Sequence, residues 1–204
     1  MNWLAHIFLS DNHIEYQHGN LLADLLKGRA WEGASDQFNA GLSMHRFIDR
    51  FTDQHPRYKE SKSKLGESGL LRGVVIDVTY DHLLVRNWQK YSAMSFRDFI
   101  DAFHRRSEMR LDVYPDHVNA FLARLIATGH LLDYGSIDGI EKALCRIDAR
   151  LSVRASKRDS AVRYLPIIRT RVEAIEEDFL CFMPELISHF KSISRVSLDD
   201  HWLR

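Results

Sequence analysis

Apolar residues recur along this chain every three to four positions, which is the spacing of one buried face of an α-helix rather than the alternation of a strand. The spacing predicts helices over 39–51, 70–88, 94–110, 115–128 and 136–151, and a long helical stretch over 161–182. Ser95 and Ser136 are expected N-caps, and Pro115 is expected at a first helical position. Pro166 is expected to kink or divide the long stretch, and a last helix is expected after Pro184.

Two segments, 1–10 and 70–78, are short and rich in β-branched or aromatic residues, so a strand is conceivable in each. Their helical neighbours favour helix. Glycine and proline are scarce, at 10 and 4, and no linker or repeat interrupts the chain. We therefore expect an all-α, single-domain helical bundle over residues 1–204, with about seven to nine helices.

Charge and cysteine content remove several classes of function. The chain has 28 basic and 28 acidic residues, so no overall field points to nucleic acid or to a membrane surface. Cys145 and Cys181 form no CxxC pair, which argues against a disulfide framework and favours the cytoplasm. We expect no signal peptide, and no membrane span because no apolar run approaches about 20 residues.

The candidate catalytic and metal-binding residues lie within the first 82 positions: His6, Asp24, His45, Asp49, Asp53, Asp77 and Asp81. Helical spacing of four residues gives three pairs that could each hold a cation, His45/Asp49, Asp49/Asp53 and Asp77/Asp81. His45 and Asp53 lie about 12 Å apart along a helix axis, too far for one ion. Either two metal ions are present, or some carboxylates orient the histidines.

A plainer interpretation exists for most of these residues. Arg46, Asp49, Arg50 and Asp53 could form a solvated ladder of ion pairs. Asp77 resists this interpretation, because it interrupts the apolar run VVIDV, where a charge is costly unless it is paired or coordinated. The remaining histidines outside this cluster are expected to be structural or exposed: His13, His18, His104, His117, His130, His189 and His201.

Mixed histidine and carboxylate ligands suit Mn²⁺, Fe²⁺, Co²⁺ or Zn²⁺, and Mg²⁺ where carboxylates dominate. Without thiolates, a structural zinc site is disfavoured. A divalent ion in such a site would polarise a phosphoryl oxygen and lower the pKa of a bound water, giving hydroxide at neutral pH.

Four segments carry a resemblance to a known family: MNWLAHIFLS, GNLLADLLKG, GLSMHRFIDRFTDQHP and IDVTYDHLLVRNW, all within residues 1–88. On these motifs the chain resembles the acyl carrier protein phosphodiesterases (ACP hydrolases). The resemblance implies removal of 4′-phosphopantetheine from holo acyl carrier protein, with Mn²⁺ as the expected metal and Mg²⁺, Fe²⁺ or Co²⁺ as alternatives. It also implies an atypical, HD-domain-like member of the HD phosphatase/phosphodiesterase superfamily.

The HD pattern is a histidine, a His-Asp dyad and a distant aspartate. The resemblance places His6 at the first position, Asp24 at the dyad acid and Asp77 at the last ligand. Residue 23 is Ala23 rather than histidine, so His45 is expected to supply the missing nitrogen.

Catalytic roles follow as hypotheses from the same set. Asp49 or Asp81 is expected to orient His45 or accept a proton, and Arg46 or Arg50 to neutralise developing charge.

The acidic carrier protein implied by the resemblance requires a basic docking surface. Residues 142–171 contain nine basic residues against two acidic ones, a local charge of +7. Arg146, Arg150 and Arg154 recur every fourth residue and form a stripe if the helix continues, with Lys157 and Arg158 beyond them. The alternative is a solvated face, or one paired with the acidic run 173–178.

Two other functions stay open. One is an HD-type phosphohydrolase that acts on a nucleotide or another small phosphodiester. The other is a non-enzymatic helical module that binds the carrier protein. Nucleic-acid binding is disfavoured, because Tyr164 is the only aromatic residue within the basic stretch.

Overall fold

The computed structural model describes residues 1–193, which form ten α-helices and no strand. The helices are α1 (Trp3–Phe8), α2 (Ile14–Leu22), α3 (Asp36–Gln54), α4 (Pro56–Lys64), α5 (Arg72–Arg86), α6 (Phe96–Glu108), α7 (Asp116–Thr128), α8 (Ile137–Asp148), α9 (Val153–Ser156) and α10 (Leu165–Ile193). The all-α prediction is confirmed, and helices occupy both segments in which a strand was conceivable. His201 lies outside the described residues.

Most of the predicted helix ends lie within three residues of the observed ones, whereas the ten helices of residues 1–193 exceed the seven to nine expected. Ser95 and Ser136 cap α6 and α8 by accepting backbone N–H bonds from Asp98 and Gly139. Pro115 is the N-cap residue of α7 rather than its first helical residue. Helix α8 ends at Asp148, short of residue 151.

The two prolines of the last helix also behave differently from expectation. Pro166 is the second residue of α10, where its missing N–H costs nothing, so it divides no helix. Pro184 lies inside α10, and no new helix begins after it. The buried neighbours Phe182, Met183 and Leu186 hold this turn against the core.

Helices α2 and α3 cross in direct backbone contact at two glycines. A Cβ on Gly19 would lie 2.0 Å from the carbonyl oxygen of Phe38, and one on Gly41 would lie 2.1 Å from that of Tyr16. Only glycine permits so close an approach. The crossing brings Asn20, beside Gly19, next to His45, one helical turn beyond Gly41.

Helix α1 is short but almost entirely buried, with Leu4 to Phe8 inside the core. The Asp81 carboxylate on α5 accepts hydrogen bonds from the backbone N–H groups of Leu4 and Ala5, at 2.9 and 3.1 Å. These bonds satisfy two free donors of the first turn and fix the position of the helix that carries His6. Among residues 1–193, no helix combines the length and apolarity needed to cross a bilayer.

Candidate metal centre

Side chains from α1 and α3 form a compact cluster at the crossing. The rings of His6 and His45 stack with centroids 3.9 Å apart. One ligand atom each from His6, His45 and Asp49 lie within 4.8 Å of one another. Asp49 Oδ2 lies 3.0 Å from His45 Nε2, and its Oδ1 lies 3.4 Å from His6 Nε2. The predicted His45/Asp49 pair is therefore in contact.

Asp24 completes the cluster from the segment after α2. Its Oδ1 lies 3.3 Å from His45 Nε2, although its side chain is 88% exposed. Two carboxylates thus face the His45 ring, one half-buried and one open to solvent.

Asn20 fixes the orientation of both histidines. Its side-chain oxygen accepts a hydrogen bond from His6 Nδ1 at 2.9 Å, and its backbone carbonyl accepts one from His45 Nδ1 at 2.7 Å. The Asn20 amide nitrogen is itself tied to the carbonyls of His6 and Leu9. Because the Nδ1 atoms carry the protons, both Nε2 lone pairs point toward the carboxylates.

Both Nε2 atoms are buried and make no hydrogen bond among the residues described. A lone pair facing a carboxylate is repulsive, so the cluster requires a positive charge at this point. Burial opposes charge on His45, but Asp24 and Asp49 outweigh it and raise the pKa of His45 to about 9. Burial lowers the pKa of His6 to about 4, and the two together accommodate one proton or a metal ion.

The pKa values of Asp49 and Asp24 are shifted in the direction that keeps both carboxylates ionised. Burial alone would raise the pKa of Asp49, but the close contacts with the His45 and His6 rings hold it well below the usual range. The His45 contact also lowers the pKa of Asp24. With His45 deprotonated, two neutral nitrogens beside ionised carboxylates are the donor set of a divalent transition metal. A bound metal ion would therefore displace the His45 proton.

Comparison with known proteins decides the family. The profile of the acyl carrier protein phosphodiesterase family matches residues 1–186. The acyl carrier protein phosphodiesterase of Enterobacter sp. (strain 638) is 29% identical over 194 residues, covering 94% of this chain and 98% of its own. That of Escherichia coli O139:H28 (strain E24377A / ETEC) is 28% identical over 193 residues, covering 92% and 96%. The chain belongs to the acyl carrier protein phosphodiesterase family. No solved structure matches it significantly.

Within this acyl carrier protein phosphodiesterase fold, Asp77 lies next to the cluster but has its own partners. Its Oδ1 lies 3.3 Å from the α-amino nitrogen of Met1 and accepts a hydrogen bond from the Tyr58 hydroxyl at 3.0 Å. The Met1 amine also lies 3.4 Å from Asp49 Oδ1. Burial raises the pKa of Asp77, although the amine opposes that shift. The carboxylate that meets the histidines is Asp49, and the role of Asp77 as a ligand stays a prediction.

Three of the residues proposed for catalysis lie elsewhere. Asp81 binds the amino end of α1 rather than His45, and burial raises its pKa to about 7. Arg46 is exposed and donates to the Ser43 hydroxyl. Arg50 is likewise exposed, and the catalytic role of either arginine stays a prediction. Asp53, already assigned a supporting role, is exposed as well.

The basic stripe does not form, because α8 ends at Asp148, between Arg146 and Arg150. Asp148 accepts hydrogen bonds from the backbone N–H groups of Ala161 and Val162, which turns the chain. Arg146 is paired with Asp133 at 2.8 Å. Arg154 lies on the separate helix α9 and is exposed, as are Lys157 and Arg158 beyond it.

Sequence reasoning missed Asn20, the residue that organises the site. Asn20 lies in the segment GNLLADLLKG, and no role was predicted for it. The adjacent glycine was a usable signal, because a helical Gly-Asn pair marks a close backbone approach with a polar group beside it.

Proposed function

We propose that this chain hydrolyses the phosphodiester of holo acyl carrier protein, releasing 4′-phosphopantetheine and the apo carrier. Family membership supports the substrate. The observation that carries the chemistry is the pair of buried, unbonded Nε2 atoms of His6 and His45 facing Asp24 and Asp49.

In this proposal His6, His45 and Asp49 hold a divalent metal ion, with Asp24 closing the site on the solvent side. Mn²⁺ is the metal that the family resemblance implies, with Mg²⁺, Fe²⁺ and Co²⁺ as alternatives, and mixed nitrogen and oxygen donors are compatible with it. When bound, such an ion supplies Lewis-acid stabilisation of phosphoryl charge and lowers the pKa of water.

The chain's own residues orient this centre. Asn20 holds both Nδ1 protons and so keeps both Nε2 lone pairs directed at the ligand position. Asp81 anchors α1 and with it His6. Asp24, which is exposed and contacts His45, offers a carboxylate on the solvent side of the site.

The test is mass spectrometry of holo carrier protein incubated with the enzyme and Mn²⁺. We expect loss of the phosphopantetheine mass with Mn²⁺ and none with excess chelator. The His45→Asn variant is expected to abolish the loss, whereas His117→Asn, an exposed histidine on α7, leaves it unchanged. Cleavage that persists in chelator, or in His45→Asn, contradicts the proposed metal centre.

A parallel assay with bis(p-nitrophenyl) phosphate separates the rival enzyme. Hydrolysis of this small diester without any action on holo carrier protein would favour the phosphohydrolase of small phosphodiesters. Absence of both reactions, with the protein folded and Mn²⁺ bound, would favour the non-enzymatic binding module.

Docking of the acidic carrier is proposed at the exposed cations Arg154, Lys157 and Arg158. None of them has a carboxylate within ion-pair distance among residues 1–193, so their charge is available to a partner. We expect kcat/KM for holo carrier to fall about tenfold or more from low to high ionic strength. Combined neutralisation of Lys157 and Arg158 to Gln should flatten this dependence, and Arg97→Gln on α6 is the control. A wild-type kcat/KM that ignores salt argues against docking by charge.

A further inference from the structure

A cleft lined in part by residues of α7 and α8 shares Asp24 with the candidate metal centre. Its volume is about 350 Å³. A second cavity of about 280 Å³ adjoins it and shares the residues Trp3, Leu25, Phe121 and Arg150. Since Asp24 also contacts His45, a ligand bound at the metal centre can extend directly into this groove.

The groove lining combines apolar walls with polar and charged side chains. Trp3, Leu25 and Phe121 supply the walls. This combination of apolar surface and a small number of directed polar groups is typical of sites for small flexible organic ligands.

Tyr134 provides a directed donor. It is 1% exposed and lines the cleft. Its hydroxyl oxygen accepts a hydrogen bond from the Asn2 side-chain amide at 2.7 Å. Among residues 1–193 its hydroxyl hydrogen has no acceptor, so it can donate to a ligand carbonyl.

Arg150 provides positive charge. Its guanidinium carbon lies 5.6 Å from the centre of the Trp3 ring. No carboxylate of the described residues pairs with it, whereas neighbouring Arg146 is neutralised by Asp133. The lining of the cleft therefore combines Arg150, which has no carboxylate partner among the described residues, with Asp24 of the candidate metal centre.

We propose that this groove binds the 4′-phosphopantetheine arm, resting on the proposed function for the identity of the ligand. The phosphate lies at the metal centre, within the field of Arg150. The branched, apolar part of the arm packs on Trp3 and Leu25, and an amide carbonyl accepts the Tyr134 hydroxyl hydrogen. Arg150 and Tyr134 are thus specificity residues for the arm.

Calorimetric titration of the Mn²⁺-loaded protein with three ligands tests the groove: 4′-phosphopantetheine, pantetheine and inorganic phosphate. We expect 4′-phosphopantetheine to bind more tightly than either of the others. Leu25→Trp fills the groove from an exposed position and should weaken 4′-phosphopantetheine about tenfold while leaving inorganic phosphate unchanged. Leu70→Trp, at another exposed leucine, is the control.

Two milder variants separate the polar contributions. Tyr134→Phe should weaken 4′-phosphopantetheine and pantetheine by the same factor, about three- to tenfold, without affecting phosphate. Arg150→Gln should weaken 4′-phosphopantetheine more than pantetheine, and Arg97→Gln should change neither.

Unchanged 4′-phosphopantetheine affinity in both Leu25→Trp and Tyr134→Phe would overturn the groove assignment. This failure differs from failure of the proposed function. If holo carrier is cleaved but the groove variants bind normally, only the groove assignment falls. If no diester is cleaved but arm binding depends on the groove, only the hydrolytic function falls.

Discussion

The protein has one buried histidine site on helix α2 and another beside it, and the two sites differ in the partners of their ring nitrogens. His18 has both nitrogens bonded, to the hydroxyls of Tyr114 and Ser107, each at 2.8 Å. His6 and His45 have only Nδ1 bonded, and their Nε2 atoms face carboxylates without a hydrogen bond. Equal burial thus accompanies opposite chemistry: the first site is complete within the protein, and the second requires a cation.

The largest effect on activity is expected from substitutions in the candidate metal centre. His45→Asn or Asp49→Asn should reduce turnover of holo carrier by about a thousandfold or more, because several kcal/mol of metal-derived charge stabilisation is lost. His18→Gln should instead cost about 1–3 kcal/mol of unfolding free energy with kcat retained. Steady-state kinetics measures the turnover of each variant, and urea denaturation measures its unfolding free energy. Equal loss of kcat in folded His18→Gln would remove the distinction.

Asn20 is the link between the two histidines, and its removal comes next. Asn20→Ala should weaken Mn²⁺ binding about 10- to 100-fold, as expected for loss of a group that orients a ligand. Asn20→Asp keeps an acceptor for His6 Nδ1 and should retain more affinity. Asn39→Ala, an exposed asparagine of α3, serves as control. Metal affinity unaffected by Asn20→Ala would show that the histidines are held by packing alone.

The glycine crossing supports the site at a distance. Gly41→Ala should lower the unfolding free energy by about 1–3 kcal/mol, because its methyl group would meet the Tyr16 carbonyl. Gly135→Ala is the matched control, since nothing lies within 4 Å of its Cβ. Urea denaturation reports both. Equal stabilities would mean that the helices separate without cost.

The smallest effect is the contribution of His18 to the pH dependence of stability. Burial lowers the pKa of His18 to about 3, against 6.5 for an unperturbed histidine. The folded form therefore stays neutral while the unfolded form gains a proton, so stability falls as the pH decreases below 6.5. Between pH 6.5 and 5 the loss should reach about 1–2 kcal/mol for wild type and be smaller for His18→Gln. If the unfolding free energies of wild type and His18→Gln fell in parallel with pH, the predicted contribution of His18 would be contradicted.

Helices and their caps could be predicted well from the sequence, whereas contacts between residues far apart in the chain could not. Apolar spacing and capping residues determine helices such as α6 within a few residues, and helical rise correctly placed His45 beside Asp49. The end of α8 depended on Asp148 bonding residues 160–162, which no local pattern reveals.

The same limit applies to the acids of α5. Asp77 and Asp81 have the spacing of a cation-binding pair, yet each is used by a distant group. Asp81 binds the first turn of α1, and Asp77 binds Tyr58 and the Met1 amine. Asn20 was missed for the converse reason, because its importance arises only when two glycines bring α2 and α3 together.

Electron paramagnetic resonance titration of Mn²⁺ is the most direct test of the difference between the two histidine sites. Wild type and His18→Gln should each bind Mn²⁺ with the same stoichiometry, and His45→Asn should lose that binding while retaining its helical content. Mn²⁺ binding that survives in His45→Asn, or that disappears in folded His18→Gln, would contradict the assignment of His6, His45 and Asp49 as the metal centre.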